Sequence, residues 1–306
     1  MSVLAAISGD AWIETVFSGL AVGAKYALVA LGFVVVFKAT GVINFAQGGL
    51  VVVGGFLSWQ LAGTWGWDFY LSIPVAMAGG ALVGVVVEAV ALRRLVGEQP
   101  FALIMATIGV LFVLDNVASA VWGPSERDLP DPWGTRTVDA GEVNLAVADI
   151  WTIGVVAAVV AAFFAFFRYT KLGLAMRATA SDQEAALSVG ISSRQVYRAA
   201  WAAAGALGAL AGIMLASGAG SLGPGLGSVA LAAFPAMILG GLQSPGGAVV
   251  GGVVIGLVQQ LTALVVPEHL SWLGTGFERV SPYLVMVLIL LVRPYGLFGR
   301  PDVRRA

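Results

Sequence analysis

The chain has 306 residues, of which 59% are hydrophobic and only 11% charged, with a formal net charge of -1 and a mean hydropathy of +0.93. An ordinary soluble domain carries about 25% charged residues, so a soluble globular fold is excluded and lipid is the solvent. There is no cysteine and His269 is the single histidine, which excludes disulfides, thiolate chemistry and a zinc site built on several histidines.

In chain order, the stretch from Met1 to Glu14 has no basic residue and no short apolar core before a small-residue cleavage site, so it is not read as a cleaved signal. At about 20 apolar residues per crossing, the length accommodates eight to ten membrane segments. Apolar runs predict helices over residues 12–37, 42–61, 69–92, 101–121, 150–167, 197–217, 229–242, 248–266 and 281–292. The expected fold is an all-α polytopic transmembrane bundle, one domain over residues 1–306. The runs at 42–61 and 229–242 are glycine-rich and fit half-helices or re-entrant pieces that line a cavity.

Basic residues orient this bundle. Arg93 and Arg94, then Arg168, Lys171, Arg177, Arg194 and Arg198, then Arg293, Arg300, Arg304 and Arg305 all fall on one side under nine crossings. The opposite side carries Asp10, Glu14 and an acidic loop with Glu126, Asp128, Asp131, Asp139, Glu142 and Asp149. The expectation is N-terminus out and C-terminus in.

Polar groups inside spans are functional candidates because hydrocarbon penalises them. Lys25 lies near the middle of the first span, where it meets either a substrate carboxylate or a structural partner, Asp115 or Glu88. Asp115 and Asn116 occupy the outer part of the fourth span, and Glu88 is close enough along its helix to pair with Arg93. Gln259 and Gln260 are adjacent and point to different faces, one toward a pathway or a neighbouring helix. Asn44 and Gln47 stand in the string GVINFAQGG, with Gly41, Gly48 and Gly49, at the start of the second span, as candidates for an inner gate or pathway wall. Gly240, Gly241, Gly246 and Gly247 flank a break at Ser244-Pro245 and serve as hinge or close-packing positions. Trp122, Trp133, Trp151, Trp272 and Tyr283 read as interfacial anchors.

The loop over residues 174–195 is amphipathic and too polar to span. Ser181 with Glu184 has capping-box spacing, Asp182 adds negative charge to the first turn, and Gly190 suits a left-handed helix end. A short surface helix of about two turns follows, with Ser192 or Ser193 capping the next span. From physics alone, a solvated connector is the equal alternative.

The string Glu184-Ala185-Ala186-Leu187-Ser188-Val189-Gly190 resembles the EAA-x-x-x-G loop of ABC importer permeases. With YALVALG, GVINFAQGG, ATIG, ILGGLQSPGG and LVRPYGLFG in order along the chain, the whole resembles the leucine/isoleucine/valine-type permeases, the first of the two branched-chain amino-acid permease subunits. The resemblance implies that residues 174–195 form a cytoplasmic coupling helix, with Ser181, Asp182, Glu184, Ala185, Ala186 and Gly190 docking onto an ATPase subunit. It implies a second permease, two ATP-binding subunits, an extracytoplasmic solute-binding protein and a multi-pass place in a bacterial inner membrane. The substrate expected is a branched-chain amino acid or a related small polar solute such as urea or an amide.

No Walker-type G-x-x-x-x-G-K-[S/T] stretch, catalytic triad or metal motif is present, so ATP and magnesium are expected on partner subunits and no metal or cofactor in this chain. The basic residues cluster at span ends, which excludes nucleic acid as a partner. The alternative reading is an ion-coupled secondary transporter with Lys25, Glu88 and Asp115 as its charge relay; a membrane-embedded enzyme is disfavoured because acidic and nucleophilic groups are few and dispersed.

Overall fold

The computed structural model describes residues 9–95 and 98–299. Arg300, Arg304, Arg305 and residues 1–8, on which part of the charge pattern and the leader reading rest, lie outside the described residues. Twelve α-helices form within them: α1 (Gly9–Thr40), α2 (Gln47–Trp59), α3 (Phe69–Val87), α4 (Pro100–Trp122), α5 (Val147–Tyr169), α6 (Lys171–Ser181), α7 (Gln183–Ser188), α8 (Ser193–Ala216), α9 (Val229–Ala232), α10 (Phe234–Gly240), α11 (Pro245–His269) and α12 (Phe277–Val292). One departure from the all-α expectation is a hairpin in the acidic loop, where β1 (Thr137–Ala140) pairs antiparallel with β2 (Val143–Ala146).

Six of these segments are long and apolar enough to cross a membrane: Gly9–Thr40, Phe69–Leu95, Pro100–Trp122, Val147–Tyr169, Ser193–Ala216 and Pro245–Pro267. Their starts are specified locally. Asp68 caps α3 by accepting from the Leu71 amide, Ser244 caps α11 by accepting from the Gly247 amide at 3.0 Å, and α4 opens on Pro100. The core is built on α1, α2 and α8, whose fully buried side chains include Leu28, Leu31, Phe33, Leu50, Phe56, Leu210, Ile213 and Met214. Close approach of α1 and α11 depends on small residues: a Cβ on Gly23 would overlap the Val253 backbone, and one on Gly252 the Ala27 backbone.

Contacts fix which helix ends share a side. Phe37, Gln243 and Pro294 line one hollow, Lys38, Phe167, Met176 and Pro245 another, and Thr40, Arg93, Leu103 and Tyr197 a third. These ends form a basic side. On the opposite, acidic side, Glu14 accepts from the Asn144 amide at 2.6 Å, Trp122 donates to Gln60 at 3.0 Å, and the Gly218 amide donates to Asp131 at 2.8 Å. The start of α1 and the end of α12 therefore lie on opposite sides.

Two segments cross in broken form, as their glycine content suggests. After α1 the chain turns at Gly41 (φ +72°) and re-enters without helix, so that the Gln47 side chain packs on Gly32, about 12 Å inside the end of α1 at 1.5 Å per residue. After α8 the chain runs extended, bridges Leu222 to Arg127, forms a 3-10 turn at Pro224–Ser228, and crosses only through the short helices α9 and α10. Gly227 of that turn rests against Gly48 of α2, which leaves no room for a Cβ on Gly48.

Candidate functional site: a vestibule, a buried amide pair and a surface helix

The broken segment leaves a cavity of about 670 Å³ open toward the acidic side. Its wall comes from α1 (Tyr26), the 3-10 turn and α9 (Ser228, Val229, Ala232), α11 (Gln259) and α12 (Arg279, Tyr283), with Glu126 from the acidic loop. Tyr26 donates to Gln259 Oε1 at 2.6 Å, so α1 and α11 present one neutral polar wall. The adjacent Gln260 turns away and donates to Ser18 at 2.7 Å, which assigns the two amides to different faces.

Toward the basic side, Asn44 and Gln47 are fully buried. Asn44 donates to Gln47 Oε1 at 3.3 Å, and Gln47 donates to the Ala204 carbonyl of α8 at 3.2 Å. Gln47 thereby ties the start of α2 to α8. Asn44 also lines a small cavity of about 70 Å³ with Thr40, Glu88, Arg93, Thr107, Tyr197 and Trp201. Phe45 stacks on Phe234 at 5.9 Å and Phe33 meets Phe234 edge-on at 6.0 Å, which joins the re-entrant segment, α10 and α1. Phe45 follows Asn44 of the small cavity, and Phe234 comes two residues after Ala232 of the vestibule.

Several expected residues fall elsewhere. Lys25 approaches neither Asp115 nor Glu88; its ammonium lies 4.0 Å from Asp149 on α5, and it does not line the vestibule. Asp149 was read only as a mark of sidedness, so the structural partner expected for Lys25, Asp115 or Glu88, is corrected to Asp149, which the packing of α1 beside α5 brings near. Glu88 pairs with Arg93 at 3.2 Å as its spacing predicted, and also with Arg198 of α8 at 3.6 Å. Asp115 lies beside Gly227, and its buried Oδ1 has no hydrogen-bond partner among the described residues. Asn116 is exposed on α4 and donates to its own helix at Phe112. Neither of the two lines the vestibule. The charge relay of the ion-coupled alternative is thus three separated groups.

Among the glycines, Gly240 and Gly247 pack backbone to backbone, Gly241 (φ +98°) lies against Gly299, Gly49 abuts Leu114, and Gly246 meets nothing nearer than the Phe164 ring at 4.0 Å. Trp133 is buried, stacked at 5.8 Å on Trp151 and edge-on to Phe69, so it is a packing residue and not an exposed anchor. Tyr26, Arg279 and Ser228 escaped the sequence reading as site residues. The available signal was Tyr26, a hydroxyl at mid-span that must find an acceptor.

On the basic side, residues 174–195 form the end of α6, all of α7 and the start of α8. The cap is one residue later than expected. Asp182 accepts from the Ala185 amide at 2.9 Å, while Ser181 ends α6 and donates to the Arg177 carbonyl at 3.0 Å. Two polar residues in succession left the register open, and the carboxylate, stronger beside a helix start, takes the cap. The helix is six residues long and ends before Gly190, whose φ is +84°. Ser192 precedes α8 without a side-chain capping bond. Glu184 and Leu187 are exposed and Ala186 is buried, so α7 offers one free face.

Comparison with known proteins decides the family. A sequence model described as "Branched-chain amino acid transport system / permease component" matches residues 15–292. The chain belongs to this family. Among relatives of this permease family member, the high-affinity branched-chain amino acid transport system permease protein LivH of Escherichia coli (strain K12) is 29% identical over 309 residues, covering 96% of this chain and 97% of the relative. BraD of Pseudomonas aeruginosa, of the same description, is 28% identical over 96% of this chain and 98% of its own. The fructose import permease protein FruF of Bifidobacterium longum is 24% identical over 88% of this chain and 73% of its own. Among solved structures, PsaBC from Streptococcus pneumoniae in complex with Fab overlaps 94% of this chain and 91% of its own with a TM-score of 0.45 and 14% identity. The chain is thus a multi-pass permease component, and no enzymatic family is indicated.

Proposed function

We propose that this permease is the translocation subunit of an ATP-driven importer in a bacterial inner membrane, carrying branched-chain amino acids or a related small polar solute. The observation that carries the reading is the vestibule, a polar cavity on the acidic side walled by Tyr26, Gln259, Arg279 and Glu126; the Phe33, Phe45 and Phe234 contact is the closure this reading assigns toward the basic side. The basic side is cytoplasmic by the positive-inside rule. The vestibule then faces the solute-binding protein, and α7 faces the ATPase. Solute enters over Glu126 and Arg279, passes the Tyr26–Gln259 wall, and waits for the aromatic contact to part. A broken helix suits this role, because short segments can move where a continuous one resists.

ATP and magnesium belong to two partner subunits, which bind the exposed face of α7 through Asp182, Glu184 and the turn at Gly190. A second permease completes the pathway. The names of the relatives span branched-chain amino acids and fructose, which agrees with discrimination resting largely on the binding protein. The test is leucine uptake into proteoliposomes holding the chain with its partner permease, ATPase subunits and binding protein. Uptake is expected only with ATP on the ATPase side. Uptake by the chain alone, without ATP and abolished by a protonophore, would replace this reading with ion coupling.

A further inference from the structure

Glu88 is a carboxylate only 2% exposed, in a span, and no part of the vestibule explains it. It opens the π turn Glu88–Leu92, whose wide backbone ring lets the Arg93 amide bond the Glu88 carbonyl. In an α-helix a residue five positions on lies about 140° around the axis, at 100° per residue. The π turn brings the fifth residue back over the first, and the Arg93 guanidinium reaches the Glu88 carboxylate at 3.2 Å. The same carboxylate oxygen takes Arg198 of α8 at 3.6 Å. A buried carboxylate is thus held between two guanidiniums from different helices, and loss of either arginine leaves it undercompensated.

Arg198 stands ten residues beyond Ser188, the last of α7. Its neighbour Tyr197 accepts a hydrogen bond from Gln183 Nε2 of α7 at 3.1 Å, and both Tyr197 and Glu88 line the small basic-side cavity with Asn44 and Thr107. Asn44 leads through Gln47 to the Ala204 carbonyl, two turns further along α8. α7, Glu88 and the re-entrant segment thus all attach to the first half of α8, at Tyr197, Arg198 and Ala204.

We infer that Glu88, with Arg198 and Arg93, is a clasp that positions the basic-side end of the pathway according to the state of α7, and that breaking it uncouples ATP hydrolysis from transport. This rests on the proposed docking of the ATPase at α7. The π turn is the element that holds the clasp in register, and the clasp is a positioning device, since Glu88 is outside the vestibule that would hold solute.

The experiment uses the complete importer in proteoliposomes and measures leucine taken up per ATP hydrolysed. Glu88→Gln and Arg198→Gln are expected to keep the ATPase subunits bound and hydrolysing while uptake per ATP falls about tenfold, the scale of ordinary coupling between sites. Arg198→Lys, which retains the charge, is expected to keep more of the uptake than Arg198→Gln. Unchanged uptake per ATP in Glu88→Gln, with the ATPase retained, overturns the clasp alone. Failure of the unaltered chain to retain ATPase subunits overturns the docking reading and the clasp with it. Because Glu88→Gln could impair folding, a second measurement leaves the clasp intact. Spin labels replace the exposed Val86, which precedes the π turn, and Arg194 in a chain that has no cysteine of its own. Their separation is expected to change by about 2 Å or more between nucleotide-free and nucleotide-trapped importer, the scale of helix shifts in switching proteins. An identical separation in both states overturns the clasp.

Discussion

The Tyr26 hydroxyl donates to Gln259 Oε1 at 2.6 Å, joining α1 and α11 across 233 positions of sequence on the wall of the vestibule. Tyr26→Phe removes the donor and keeps the ring. Hydrogen bonds between membrane helices contribute about 0.6 kcal/mol on average and up to about 1.7, so detergent melting should drop modestly. Leucine uptake should fall more than melting does, because the wall also loses a polar group facing solute. An unchanged uptake rate would remove Tyr26 from the pathway.

Lys25 offers the opposite case. Its partner is Asp149 on α5 and it does not line the vestibule, so its expected task is packing between α1 and α5. Lys25→Met should leave transport per assembled molecule intact and lower stability by about 1–3 kcal/mol, because Asp149 is left half-buried without its cation. Lys25→Met with Asp149→Asn should recover much of that loss. A double-mutant cycle on melting temperature measures the coupling, and additive losses would contradict the pairing.

The glycines at the break before α11 should separate sharply. Gly240 and Gly247 meet backbone to backbone, so alanine at either forces α10 and α11 apart, and the protein should accumulate poorly in the membrane. Gly246 has free space up to the Phe164 ring, and Gly246→Ala should accumulate and transport normally. Equal tolerance at Gly240 and Gly246 would show that the close approach is dispensable.

At α7, Asp182→Ala removes the carboxylate that accepts from the Ala185 amide and should cost about 1 kcal/mol of local helix stability. Ser181→Ala removes only a bond to the Arg177 carbonyl within α6. ATPase stimulation by solute-loaded binding protein should therefore weaken in Asp182→Ala and hold in Ser181→Ala. The reverse order would restore the cap to Ser181.

Most of the architecture was legible because hydrocarbon imposes it. The run expected at 101–121 is the helix Pro100–Trp122, and the run at 150–167 lies inside Val147–Tyr169. The glycine-rich runs at 42–61 and 229–242 are broken where glycines just before them turn the chain, at Gly41 (φ +72°) and in the 3-10 turn Pro224–Ser228. The hairpin Thr137–Ala146 does alternate, with Val138-Asp139-Ala140 and Val143-Asn144-Leu145 around Gly141-Glu142, but its four-residue strands lie in a loop read for its acidic charge alone. Pairings decided by helix packing were not legible either. Lys25 meets Asp149 only because α1 and α5 lie side by side, and Arg198 reaches Glu88 only because α3 and α8 do. Sequence spacing could supply Arg93 as a partner, since both groups share one helix, but carries no information about the second arginine.

The measurement that tests the central claim most directly is recovery of partners with the tagged chain, purified from its native membrane in mild detergent and identified by mass spectrometry. The account predicts ATPase subunits with the unaltered chain, and their loss when Glu184 and Gly190 are replaced while the chain still accumulates in the membrane. Recovery of the chain without any ATPase, or an ATPase still bound after both replacements, would contradict it.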